Sequence, residues 1–150
     1  MRVHFICRGN AYRSLLAEAY FKTRSTIPVT SSGVVADIYR EYNKSVIVKT
    51  RKFLESKKLP PALAKAPIQL TDERLHKDDT LVCVNKEAEK DLLRLFRPLS
   101  KPIVWDIADY DEPEGGQAAG LSREEYTKII YKKMTQKVDK LIEQLENREV

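Results

Sequence analysis

The stretch Cys7-Arg8-Gly9-Asn10-Ala11-Tyr12-Arg13-Ser14 decides how the rest of the chain is read. Just before it, Val3-His4-Phe5-Ile6 has the character of a buried strand. Just after it, Leu15-Leu16-Ala17-Glu18-Ala19-Tyr20-Phe21 has that of the first turns of a helix. A strand that passes through a glycine-containing loop into a helix makes an anion cradle. The loop N–H groups converge on one point and the helix N-terminus adds partial positive charge. A cysteine at the head of that loop is favoured as the nucleophilic thiolate. Arg13 can fold back over the same point and offer a planar fork of donors to phosphate oxygens. Cys7 is therefore the candidate nucleophile and Arg13 the candidate clamp, an arrangement suited to attack on phosphorus in a phosphate ester. Arg8, Gly9, Asn10, Ala11, Tyr12 and Ser14 are the candidate phosphate-binding cradle. Asn10 suits left-handed backbone geometry, which turns loop amides inward. The Ser14 hydroxyl is placed to donate to the Cys7 sulfur.

A chain of 150 residues is expected to form one domain, residues 1–150, with a hydrophobic core of its own. Apolar residues make up 42% and charged residues 33%, ordinary for a soluble protein. No apolar run approaches the roughly 18 residues of a membrane span. Met1-Arg2-Val3-His4 leads straight into the loop and leaves no room for a signal peptide, so the expected location is cytoplasmic. Cys7 and Cys83 are the two cysteines; with two histidines they make neither a disulfide framework nor a good zinc set. The net charge of +5 is spread among 22 acidic residues, so it reads as a solvated surface that attracts anions, not a nucleic-acid face. The expected partner is a phosphorylated protein or small phosphate ester, the chain itself being a monomer or weak dimer, with no cofactor and no metal.

Strands and helices alternate along the sequence. The first helix is expected to run to Lys22 or Thr23, with Tyr12, Leu16, Ala19 and Thr23 on one face. Pro28 to Ser32 is the second strand, ended by Gly33. Val34 to Tyr42 reads as loop, and Asn43 as the N-cap of a helix from Lys44 to Lys57. Leu59-Pro60-Pro61 stops that helix. Ala62 to Leu70 is irregular, and Thr71 to Arg74 can form one helical turn. Thr80 to Val84 is a third strand, and Asn85 caps a helix to Phe96 with Ala88, Leu92, Leu93 and Phe96 inward. Pro102 to Trp105 is the fourth strand, followed by an acidic loop from Asp106 to Gly116. Ser122-Arg123-Glu124-Glu125 is a capping box. It opens a long helix whose apolar stripe includes Tyr126, Ile129, Ile130, Val138, Leu141, Ile142 and Leu145, with Glu146 to Val150 frayed. The fold is thus α/β, a central parallel sheet of four strands flanked by helices. Ligands bind such sheets beyond the carboxyl ends of the strands. There the Cys7 loop, the Ser31–Gly33 turn and the acidic loop can meet.

Cleaving a phosphate ester calls for a general acid, and Trp105 to Pro113 supplies several carboxylates. Cys83 lies in an apolar strand and reads as core. His4 reads as a packed histidine and His76 as surface.

The sequence resembles the low-molecular-weight protein tyrosine phosphatase family. The family's Cys-x-Gly-Asn-x-x-Arg-Ser loop is matched by Cys7, Gly9, Asn10, Arg13 and Ser14. Ser31 and Gly33 fit its Ser-x-Gly turn, whose serine supports the loop asparagine, and Gln69-Leu70-Thr71 and Asp79-Thr80-Leu81 fit its middle segment. Its acid loop ends in Asp-Pro-Tyr or Asp-Pro-Phe. Asp106-Ile107-Ala108-Asp109 aligns with it, but Tyr110 stands in place of the proline, which leaves the loop less rigid. The family often carries a His and an Arg before Gln-Leu-Thr, where this chain has about Lys65 and Ile68. The resemblance implies attack by Cys7, acid catalysis by Asp109 with Asp111 as runner-up, and a phosphocysteine hydrolysed by water, with no metal. It also implies a cleft rimmed by aromatics, for which Tyr39, Tyr110 and Tyr12 are candidates. Two rivals remain. An arsenate reductase of the same fold would relay a disulfide through further cysteines, where only Cys83 is present. A non-catalytic phosphate-binding module would keep the cradle without the acid.

Overall fold

The computed structural model describes residues 1–61 and 66–148. Four strands form one parallel sheet in the order β2-β1-β3-β4: β1 Arg2–Cys7, β2 Val29–Gly33, β3 Asp79–Cys83 and β4 Ile103–Val104. The helices are α1 Arg13–Arg24, α2 Arg40–Ser56, α3 Lys86–Leu95 and α4 Arg123–Arg148. The chain first places β2 on one side of β1, then crosses back to place β3 and β4 on the other. The crevice created by this reversal lies at the carboxyl end of β1, where Cys7 sits.

Alternation along β1 explains how both faces of the sheet are covered. Val3, Phe5 and Cys7 join the core under α1 and α4, whereas Ile6 joins Leu81, Cys83, Ala88 and Leu92 on the α3 side. Phe5 packs edge-on to Phe21 at 5.9 Å and tilted to Trp105 at 5.6 Å. On α4, Ile130, Met134, Val138, Leu141, Ile142 and Leu145 are buried at helical spacing. The helix is capped as expected. Ser122 Oγ accepts from the Glu125 N–H at 3.1 Å, and the Glu125 carboxylate accepts from the Ser122 N–H at 3.1 Å. Asn85 caps α3, its Oδ1 accepting from the Ala88 N–H at 3.0 Å.

Several expectations are corrected. Helix α2 begins at Arg40, and its first bonds include Asn43 N–H to the Tyr39 carbonyl at 2.8 Å. Asn43 therefore sits inside the helix instead of capping it, because its buried amide is used elsewhere. Thr23, Leu93 and Ile129 are exposed. Leu93 and Ile129 lie about 100° round the helix from the buried Leu92 and Ile130, outside the apolar arc. Helix α1 starts at Arg13, so Tyr12 precedes it and belongs to the loop. The short turn at Asp72–Arg74 is present as a 3₁₀ turn. Lys65 and part of the irregular 62–70 segment lie outside the described residues, as do residues 149–150. Among the described residues, no helix is long and apolar enough to cross a membrane.

Candidate active site

The loop between β1 and α1 is held from outside. The Cys7 and Arg8 carbonyls accept from the Val34 and Val35 N–H groups, each at 3.0 Å. The Ala11 carbonyl accepts from the buried Thr50 hydroxyl of α2 at 2.5 Å, and the Gly9 carbonyl from Asn43 Nδ2 at 3.4 Å. These bonds turn the carbonyls of Cys7, Arg8, Gly9 and Ala11 to partners outside the loop. The Asn10 N–H reaches Cys7 Sγ at 3.1 Å. Asn10 adopts φ 52°, the left-handed geometry expected of it. Gly33 is the floor of this arrangement. A Cβ there would lie 2.6 Å from the Arg8 carbonyl oxygen and 2.8 Å from the Asn10 nitrogen, so no side chain fits.

A chain of hydrogen bonds leads from the sulfur into the protein. Ser14 Oγ lies 2.9 Å from Cys7 Sγ. Asn10 Nδ2 donates to Ser14 Oγ at 2.8 Å and to Ser31 Oγ at 3.0 Å. Because Ser14 Oγ accepts from Asn10, its own proton is directed to the sulfur. The Ser31 hydroxyl in turn donates to Glu18 at 2.5 Å. Burial holds the Glu18 carboxyl above its usual range, against the hydroxyl it accepts from. Asn10 Oδ1 accepts from the backbone N–H of Ile68 at 2.8 Å. The loop asparagine is thus supported from the middle segment by a main-chain donor.

Arg13 is almost completely buried. Its Nη1 donates to the Ile107 carbonyl at 2.9 Å and lies 3.2 Å from the Glu112 carboxylate, while Nη2 lies 3.9 Å from Asp109 Oδ2. The acidic loop thus faces the Cys7 loop across a cleft of about 630 Å³. Cys7, Arg13, Asp109 and Asp111 all line it, with Tyr12 and Tyr110 among its walls. Asp109 is half exposed, its side chain at 52%. Tyr110 is fixed by its hydroxyl on the Leu121 carbonyl at 2.7 Å and by the Arg123 guanidinium over its ring at 4.5 Å. Tyr126 donates to the Ala108 carbonyl at 2.6 Å. The loop that lacks the proline is therefore tied by two tyrosines and a glutamate.

Not every expected residue reaches the cleft. Arg8 lies outside the cleft lining, its carbonyl on the Val35 N–H and its guanidinium turned to Asp91 at 3.6 Å and over Tyr39 at 5.7 Å. Tyr39 lies outside the cleft lining, and its place is taken by Tyr42, Phe53 and Tyr126. Burial raises the Tyr12 phenol well above its usual range. Cys83 is fully buried in β3, and burial pushes its thiol up to about 12. His4 is buried as well, with Nε2 2.7 Å from Ser32 Oγ, and burial with the Arg2 charge lowers it to about 4. Among the described residues, no three His, Cys, Asp or Glu side chains gather as a metal site. Sequence reasoning missed Glu18 and the Ile107 carbonyl, and held Glu112 only as one of several carboxylates in the acidic run.

A strand-end cysteine in an amide cradle, with a buried arginine beside it, defines the class of cysteine-dependent phosphate-ester hydrolases. The chain belongs to the low molecular weight phosphotyrosine protein phosphatase family, whose description matches residues 2–150, and it is a phosphatase. Solved structures share the fold. A low molecular weight protein tyrosine phosphatase from T. tengcongensis matches with TM-score 0.68 and 22% identity, covering 96% of this chain and 99% of that one. An arginine phosphatase from Geobacillus stearothermophilus matches with TM-score 0.64 and 21% identity, covering 99% and 94%. A thioredoxin-dependent arsenate reductase from Corynebacterium glutamicum matches with TM-score 0.65 and 17% identity, covering 98% of this chain and 62% of that one. No curated protein sequence matches the chain.

Proposed function

We propose that the protein hydrolyses phosphotyrosine, or a small phosphate monoester, through a phosphocysteine on Cys7. One observation carries this reading. Cys7 Sγ accepts from the Asn10 amide and lies beside the Ser14 hydroxyl, on the floor of a cleft whose other wall brings Asp109 to 3.9 Å from Arg13. In the first step the sulfur attacks phosphorus and the bond to the leaving oxygen breaks, that oxygen taking its proton from Asp109. Arg13 and the loop amides hold the remaining phosphate oxygens as charge builds on them. In the second step Asp109 takes a proton from water as the water attacks phosphorus. The S–P bond breaks and inorganic phosphate leaves. Asp109 is favoured over Asp111 because its carboxylate is the one beside the clamp.

The substrate side rests on the walls of the cleft. Tyr12, Tyr42, Phe53, Tyr110 and Tyr126 line it and suit an aryl phosphate. Two free cysteines are consistent with a reducing, cytoplasmic location. Arsenate reduction by a disulfide relay has little support, because Cys83 is buried with its thiol pushed up to about 12.

The test is hydrolysis of p-nitrophenyl phosphate by wild type, Cys7→Ser, Asp109→Ala and Asp111→Ala. Loss in Cys7→Ser, with a fall of about 10²-fold in Asp109→Ala alone, supports the assignment. Wild-type protein that binds phosphate without turnover would make the chain a phosphate-binding module. Reduction of arsenate with a thiol donor, in its place, would favour the reductase.

A further inference from the structure

We propose that Glu112 is a positioning residue that sets both the phosphate clamp Arg13 and the acid Asp109; this rests on the phosphatase reading above. Three contacts converge on its carboxylate, whose side chain is only 12% exposed. Asn85 Nδ2 donates to both oxygens, at 3.1 and 2.9 Å. Oε1 lies 3.2 Å from Arg13 Nη1 and accepts from the Asp109 N–H at 2.7 Å. Through the backbone, the Glu112 N–H donates to the Asp109 carbonyl at 3.2 Å, closing a tight turn around the acid.

Each contact has a consequence for the chemistry. Asn85 is itself fixed as the cap of α3, so Glu112 is tied to the end of β3 and not merely to its own loop. A buried guanidinium without a counter-charge is costly. Glu112 and the Ile107 carbonyl together occupy Nη1, which sets the plane of the fork and leaves Nη2 on the Asp109 side. The bond from the Asp109 N–H fixes the backbone that carries the acid. A proline would stiffen that backbone, and here a carboxylate does so while also touching the clamp. Acid and clamp are thus referred to one anchor, so displacing Glu112 disturbs both.

Two measurements test this. The first is calorimetric titration with inorganic phosphate, which reports the clamp and needs no turnover. The second is turnover of p-nitrophenyl phosphate against phenyl phosphate. A misplaced acid harms the poorer phenolate leaving group more, whereas a general loss of structure harms both alike. In Glu112→Ala, phosphate affinity is expected to fall about tenfold, and the phenyl to p-nitrophenyl rate ratio to fall about tenfold. Glu112→Gln keeps an acceptor for Arg13 and the Asp109 N–H but sets an amide N–H₂ against Asn85. It should shift both readouts the same way by about threefold, and it carries the test if the alanine variant does not fold. Glu114→Ala, exposed in the same loop, should change neither. Equal loss on both substrates with wild-type phosphate affinity, or no change at all, overturns the proposal. Wild-type protein inactive on both substrates overturns the phosphatase reading instead, and the phosphate titration still judges whether Glu112 sets the clamp.

Discussion

In the Cys7 loop the carbonyls of Cys7, Arg8 and Ala11 are each taken by a donor from outside the loop. Beyond Asp109 the bonds close mostly within the acid loop itself: Glu112 to Asp109, Gly115 to Glu112, Gln117 to Tyr110, Leu121 to Gly116. The two loops face each other across one cleft, yet they are built to different standards of permanence. A loop bonded into the sheet and two helices opens only when the core opens. A loop bonded to itself, and pinned by Glu112, Tyr110 and Tyr126, can loosen alone. Cys7 and its loop are thus a fixed half of the cleft, and the segment that carries the proposed acid is an adjustable one.

The hardest way to strain this comparison is to remove the nucleophile. Cys7→Ser should abolish turnover, by about 10⁴-fold or more, while leaving phosphate binding in place, because the cradle is made by the backbone. Loss of both activity and phosphate binding would mean that the loop is not independently held. The foundation of the fixed half can be probed by acid. Unfolded, His4 takes up a proton near 6.5; folded, only near 4. Between those values the unfolded chain binds more protons, so stability falls as pH falls through that window, by roughly 3 kcal/mol when fully expressed. Asp79 adds its own loss at lower pH. Burial would raise its carboxyl, but the Arg2 guanidinium and the His76 N–H hold it below the usual range. Denaturant unfolding of wild type and His4→Gln between pH 7 and 4 checks this, the variant losing the His4 share of the slope.

The adjustable half should respond more gently. Asp109→Ala is expected to lower turnover of p-nitrophenyl phosphate about 10²-fold without changing the unfolding midpoint, since that side chain is half exposed. A marked fall in stability would show the acid loop to be part of the cooperative core. Smallest of all, Tyr110→Phe removes one hydroxyl bond to Leu121, worth about 1 kcal/mol at most in net terms. Turnover should drop severalfold, with greater sensitivity of residues 109–121 to proteolysis than of residues 7–14.

What was legible in the sequence follows the same division. The cradle is local. Cys7, Asn10, Arg13 and Ser14 stand at fixed spacing between a strand and a helix, so their gathering in one loop could be read before any contact was known. The parallel sheet followed from the alternation of apolar runs with helical stripes, and the caps at Asn85 and Ser122 from their own short motifs. Contacts between distant segments were not legible. Asn43 has the preferences of a cap, but its amide is used on Gly9, and the helix starts earlier. Ile68 supports Asn10 with a main-chain N–H, which any residue but proline could supply, so no side chain announces it. Glu112 was one carboxylate among several in an acidic run, and only its approach to Asn85 and Arg13 distinguishes it. Tyr39 had the right composition for a rim and the wrong side of Arg8.

The parallel sheet also decides how this enzyme can be handled as a component. Strand β1 enters the sheet at the end opposite the cleft, with its first residue, Arg2, about 17 Å from Cys7. Helix α4 starts at the cleft, where Arg123 lines the wall, and runs beside α1 with Tyr20 bonded to Asp139 at 2.9 Å. Its 26 residues carry the other end about 39 Å away. A carrier joined ahead of β1 or beyond the far end of α4 would therefore sit away from the mouth of the cleft.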